Sequence, residues 1–61
     1  MGYYELRKSH KQTQQPWYFV LIASNHEVIA VSEMYASKQS ALNGIKSVRA
    51  NAPSEDVRDK T

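Results

Sequence analysis

The sequence predicts an α+β unit: an antiparallel three-stranded meander followed by one helix. Three observations predict it. Three short β-prone segments occupy the first half of the chain, polar connections separate them, and apolar residues recur at helical spacing after Ser37.

Tyr3 to Lys8 alternates, with Tyr4 and Leu6 on one face and Tyr3, Glu5 and Arg7 on the other, which suits a half-buried first strand. Ser9 to Gln15 contains no hydrophobe and Pro16 fixes the backbone at its end, so this stretch connects. Trp17 to Ala23 is a continuous apolar run, too short for an ordinary helix, and reads as the central strand. Ser24, Asn25 and His26 interrupt it, and Asn25 tolerates the positive φ that a tight hairpin requires. Glu27 to Ser32, built on Val28, Ile29 and Val31, is the third strand. Ser37 is placed to cap a helix, and Ala41, Leu42, Ile45, Val48 and Ala52 gather on one arc of it. Gly44 sits at the edge of that arc, where a missing side chain lets helix and sheet approach closely. Arg49 falls near the arc's centre and must snorkel to water, and Asn51 with Pro53 supplies the stop.

The core available to this unit is thin. Only twelve of 61 residues are Leu, Ile, Val or Phe, and a chain this short buries about 60% of the surface its unfolded form exposes. With no cysteine, neither a disulfide nor a thiolate zinc site supplements it, which leaves self-association as the common remedy. One helix covers one face of the sheet, and Trp17, Phe19, Leu21 and Ala23 are assigned to it. Tyr18, Val20 and Ile22 then form an apolar patch on the opposite face, and a homodimer interface or an unknown protein partner is the expected cover.

Charge is mildly asymmetric: the net of +2 concentrates Arg7, Lys8, His10 and Lys11 near the N-terminus, while Glu55, Asp56 and Asp59 lie in the tail. Tyr3, Arg7, Lys8 and Lys11 are candidate contacts for weak nucleic-acid binding, against the plainer reading of a solvated hairpin loop. Met1 to Lys11 is polar and basic, without a signal-peptide core, and no apolar run approaches the ~20 residues that cross a bilayer. The expectation is a cytoplasmic protein without membrane contact.

Chemistry has little to stand on. His10 and His26 lie in different loops without Cys or paired carboxylates, so no metal site is expected. Gly2 and Gly44 are the only glycines, which excludes glycine-rich nucleotide loops. No catalytic residue and no cofactor is expected. One polar candidate remains, Glu33, Tyr35, Ser37 and Lys38, near the helix N-terminus, where backbone amides favour an anion. Packing of Tyr35 and capping by Ser37 is the plainer account of the same residues.

The strings Ser32-Glu33-Met34-Tyr35-Ala36-Ser37-Lys38 and Asn43-Gly44-Ile45-Lys46-Ser47-Val48-Arg49-Ala50-Asn51-Ala52, with Tyr4-Glu5-Leu6, Trp17 to Leu21 and Glu27-Val28-Ile29, resemble the YegP-like family of small bacterial proteins. The resemblance covers residues 3 to 53. It implies a β3-α-β motif, present as a tandem repeat or as two subunits, assembled into one continuous sheet with C-terminal strands exchanged. With one motif in this chain, it implies a strand-exchanged homodimer in which the tail, residues 54 to 61, is a short strand and Val57 docks as its apolar residue. The family often carries Gly where this chain has His26 and Met34, and it commonly alternates charged residues where Tyr18, Val20 and Ile22 stand. It has no catalytic residues to transfer. The expected function is therefore a small non-enzymatic homodimeric interaction or binding module, with weak nucleic-acid binding through the basic N-terminal hairpin as the alternative.

Overall fold

The computed structural model describes all 61 residues. Strands β1 (Tyr3–Lys8), β2 (Trp17–Ile22) and β3 (Val28–Val31) form one sheet in the order β1-β2-β3, and helix α1 (Lys38–Asn51) follows. Both pairings are antiparallel. β1 and β2 pair without interruption from Tyr3 opposite Ile22 to Lys8 opposite Trp17, and Ser9 N–H donates to the Pro16 carbonyl at 2.7 Å to close the polar connection.

The β2-β3 connection resolves the turn differently from the sequence expectation. His26 N–H donates to Ala23 O and Ala23 N–H to Glu27 O, which describes a three-residue loop in which a tight turn is followed by a left-handed residue. That residue is His26, with φ 68°, and not Asn25. The position is one that favours glycine. Met34 does not share it: His26 is the one non-glycine residue with a positive φ. β3 is also shorter than Glu27 to Ser32. Leu21 lies opposite Ala30 but Ile22 opposite Val28, so Ile29 is an extra residue that bulges out of the ladder. Beyond β3 the pairing resumes briefly: Ser32 N–H donates to Phe19 O, the Ser32 hydroxyl accepts from Phe19 N–H, and Trp17 and Tyr35 form an isolated bridge.

α1 begins where expected. Ser37 is extended, and its hydroxyl accepts from Ser40 N–H at 3.0 Å, satisfying one of the free first-turn amides. The helix ends before Pro53, with Ala52 N–H bonded to Val48 O and the Asn51 side chain donating to Ser47 O. It packs on β2 and β1 and does not reach β3. Ala41 is fully buried at this contact, and Arg49 is exposed as snorkelling requires.

The expected apolar patch on the far face is corrected by the structure. Val20 is 1% exposed and Ile22 4%, and Tyr18 is half-buried, so these residues belong to the core of the single chain. The register supplies the reason. Val20 lies between Glu5 and Val31, and Ile22 between Tyr3 and Val28, so each is flanked by side chains from both neighbouring strands. The aliphatic side chains of the sheet that are exposed are instead Val28, Ile29 and Val31 on β3. The tail is also not a strand within the single chain. Residues 54 to 61 have no regular secondary structure, every one is exposed, and Val57 touches water over most of its surface.

Candidate functional site

The polar candidate near the helix start resolves into structure. Ser37 is engaged twice with Ser40, through the capping bond and through a 2.9 Å hydroxyl contact, which leaves its oxygen committed to the helix. Tyr35 stacks on Phe19 with centroids 6.1 Å apart and planes at 19°, and its ring crosses the helix at Gly44. A Cβ on Gly44 would lie 2.8 Å from Tyr35 Cζ and 3.0 Å from Phe19 Cε2, so the glycine makes room for this aromatic pair. Tyr4 meets Phe19 edge-on at 6.2 Å and completes the cluster. Glu33 and Lys38 are exposed, and Ser37 and Tyr35 bond to neither. The four residues therefore do not converge on one point. A mostly apolar crevice of about 240 Å³ opens beside them, between the exposed flank of β3 and α1, with Leu21, Ala30, Val31 and Val48 in its wall.

The four candidate nucleic-acid residues are separated by the pleat. Alternation along β1 places Tyr3 and Arg7 on the face away from the helix and Lys8 on the other. Arg7 binds Glu5 through Nε at 3.1 Å and Nη2 at 2.8 Å. That hydrogen bond is the main reason its pKa is raised further above the ordinary arginine value. Lys8 Nζ sits 5.1 Å above the Trp17 ring, a cation–π contact. Tyr3 meets the His26 ring edge-on at 6.2 Å, with its hydroxyl 3.4 Å from Nδ1. Lys11 lies out in the hairpin loop, where Lys8 to Pro16 border wide polar depressions. His10 and His26 stay apart, and no group of three metal-ligating side chains exists. No helix is long and apolar enough to cross a membrane.

Two features were not read from the sequence. One is the exposed edge of β3, whose signal was the β-branched run Val28-Ile29-Ala30-Val31, read only as a third strand. The other is the tail's own bonding, which is entirely local: Arg58 to Asp56, Asp56 N–H to the Ser54 hydroxyl, and Thr61 to Asp59. The Thr61 hydroxyl, followed by its N–H, holds the Asp59 carboxyl below the usual carboxylate value.

Comparison with known proteins places this fold. The chain is 54% identical over 55 residues to the UPF0339 protein YegP of Yersinia pestis, covering 90% of this chain and 46% of that protein. It is 48% identical over 59 residues to the UPF0339 protein YegP of Escherichia coli K12, covering 97% and 51%. The chain thus spans about half the length of the curated relatives it matches. An NMR solution structure of a protein from Haloferax volcanii superposes with a TM-score of 0.76 at 34% identity, covering 95% of this chain and 93% of that one. Residues 13–59 match the family described as a domain of unknown function, DUF1508, and the chain belongs to that family together with the YegP proteins.

Proposed function

We propose that the protein is a non-enzymatic, homodimeric interaction module in which two copies join their sheets by exchanging C-terminal strands. The tail carries the reading: its eight residues stay exposed, bond to one another and, through Ser54 N–H, to Asn51 O at the end of α1, and make no bond to the sheet, which has two open edges. Exposed edges and a thin core are both relieved when a second copy supplies a strand. The non-enzymatic part is supported by what the polar residues are occupied with, Ser37 with the cap and Tyr35 with the aromatic cluster.

Sedimentation equilibrium tests it. The expected mass is about twice the 7.0 kDa of one chain, and deleting residues 54 to 61 should weaken dimerisation and lower the Tm together, because an exchanged strand serves both. A truncated chain that dimerises and melts unchanged would leave the tail a passenger and overturn the exchange.

A further inference from the structure

We propose that the β1-β2 hairpin binds single-stranded nucleic acid, with one base against Tyr18 and the adjoining phosphates on Arg7 and Lys11. The inference goes beyond the interaction-module reading and holds for one copy or two, since sheets joined edge to edge keep their faces uncovered.

The pleat places Tyr18 on the face of β2 away from α1, directly opposite Arg7 on β1. The connecting loop then brings Lys11 back to the same aromatic side chain, and Tyr18 and Lys11 together border two adjoining depressions. In one they stand with Arg7 and His10, while Lys8 reaches the rim from the other face with its ammonium over Trp17. In the other they stand with Gln14, Gln15 and Met34. Of the four candidates read from the sequence, Arg7 and Lys11 thus converge, and Tyr18 is the residue that joins them.

Charge marks the same place. No acidic residue stands between Glu5 and Glu27, whereas Arg7, Lys8 and Lys11 all do. Glu5 is the carboxylate that pairs with Arg7, so the lysines carry the uncompensated charge of the hairpin. The loop is folded by short hydroxyls: Lys11 N–H donates to Ser9 Oγ at 3.1 Å and Gln15 N–H to Thr13 Oγ1 at 3.3 Å. The long side chains of Lys11, Gln14 and Gln15 are exposed beside Tyr18.

A nucleotide joins the two chemistries that these depressions hold side by side. Its phosphate is an anion for Arg7 and Lys11, and its base is a flat ring for Tyr18 with donor and acceptor edges for the glutamine amides. An acidic peptide would use the cations and leave the ring and the amides idle. A duplex keeps its bases stacked on one another and presents none to Tyr18. A small-molecule pocket would be enclosed and mostly apolar, whereas this surface is wide, polar and open, with Tyr18 and Met34 as the two apolar members of its wall. Such a surface suits a strand passing across it.

Fluorescence anisotropy of a labelled oligothymidine with the full chain tests the proposal. With about two phosphates neutralised at each site, affinity should fall about sevenfold between about 50 and 200 mM salt. Tyr18→Leu keeps an apolar side chain on the sheet and should weaken binding about fivefold or more, the loss of one stacked base. Lys11→Gln, at an exposed loop position, should weaken binding and halve the salt dependence; it decides the matter if Tyr18→Leu lowers the Tm. Lys46→Gln, on α1 across the sheet, removes the same charge and should leave affinity unchanged. No binding at low salt, an equal loss from Lys46→Gln, or equal binding of a duplex or of polyglutamate overturns the proposal. Binding by a chain that sediments as a monomer supports it and overturns the dimer alone.

Discussion

On β2, the residues Phe19, Val20 and Ile22 are buried, whereas all four residues of β3, one strand away and likewise apolar throughout, are exposed. Apolar content does not separate the two strands, although β2 carries three aromatics and β3 none. β2 has a neighbour on each side and α1 over one face, while β3 has one neighbour, no helix contact and a bulge at Ile29. The contrast teaches that in a sheet this small burial follows the number of flanking strands more closely than the hydrophobicity of the strand itself.

The strongest way to break that comparison is to truncate one apolar residue on each strand. Phe19→Ala should cost about 3–5 kcal/mol and take most of the stability of so small a domain. Ile29→Ala should stay within about 0.5 kcal/mol. Urea unfolding of both variants measures the gap, and equal losses would erase the distinction between the strands.

Next in size is the helix seat. Gly44→Ala should cost about 1–3 kcal/mol despite a gain in helix propensity of about 1 kcal/mol, because the new methyl meets Tyr35 and Phe19. Adding Tyr35→Phe, which removes the hydroxyl in the way, should recover part of the loss. If Gly44→Ala raises the Tm, the contact between α1 and β2 is looser than the comparison requires.

A smaller effect of opposite sign is expected at the β2-β3 loop. His26→Gly should stabilise by about 0.5 kcal/mol by relieving a left-handed backbone, less the greater entropy of glycine and the lost Tyr3 contact. A lower Tm would show that the Tyr3–His26 contact outweighs the backbone.

The smallest effect lies in the tail. Asp59 titrates below its ordinary value, chiefly through the Thr61 hydroxyl, so the bond contributes above the unfolded pKa and is lost as pH falls through the lowered native one. Thr61→Ala should move the Asp59 midpoint, followed by NMR, upward towards the ordinary carboxylate value and leave the Tm unmoved. No movement would assign the lowered value to other groups.

Much of this was legible in the residues. The bounds of β1, the cap at Ser37 and the role of Gly44 followed from alternation, from a hydroxyl before an apolar arc, and from a missing side chain on the edge of that arc. The misreading of Tyr18, Val20 and Ile22 has a specific cause. Cover was counted from the helix alone, whereas Glu5, Tyr3, Val28 and Val31 reach them across the ladder. Those neighbours are known only once the register is, and the register depends on the turns. The left-handed residue fell at His26 for the same reason: a two-residue loop would place it at Asn25, and the loop has three.

What the sequence determined by itself was local: which segments extend, where the helix starts and stops, and that the core is too thin to be comfortable alone. These follow from side-chain periodicity, capping chemistry and composition, which act over a few residues. The tertiary structure alone decided which edge strand stays exposed and which backbone groups of β1 point outward. Each depends on the pairing of residues distant in the chain. The physical reason is that a strand carries hydrogen-bonding groups on both sides, and only its place in the sheet determines which of them are left unpaired.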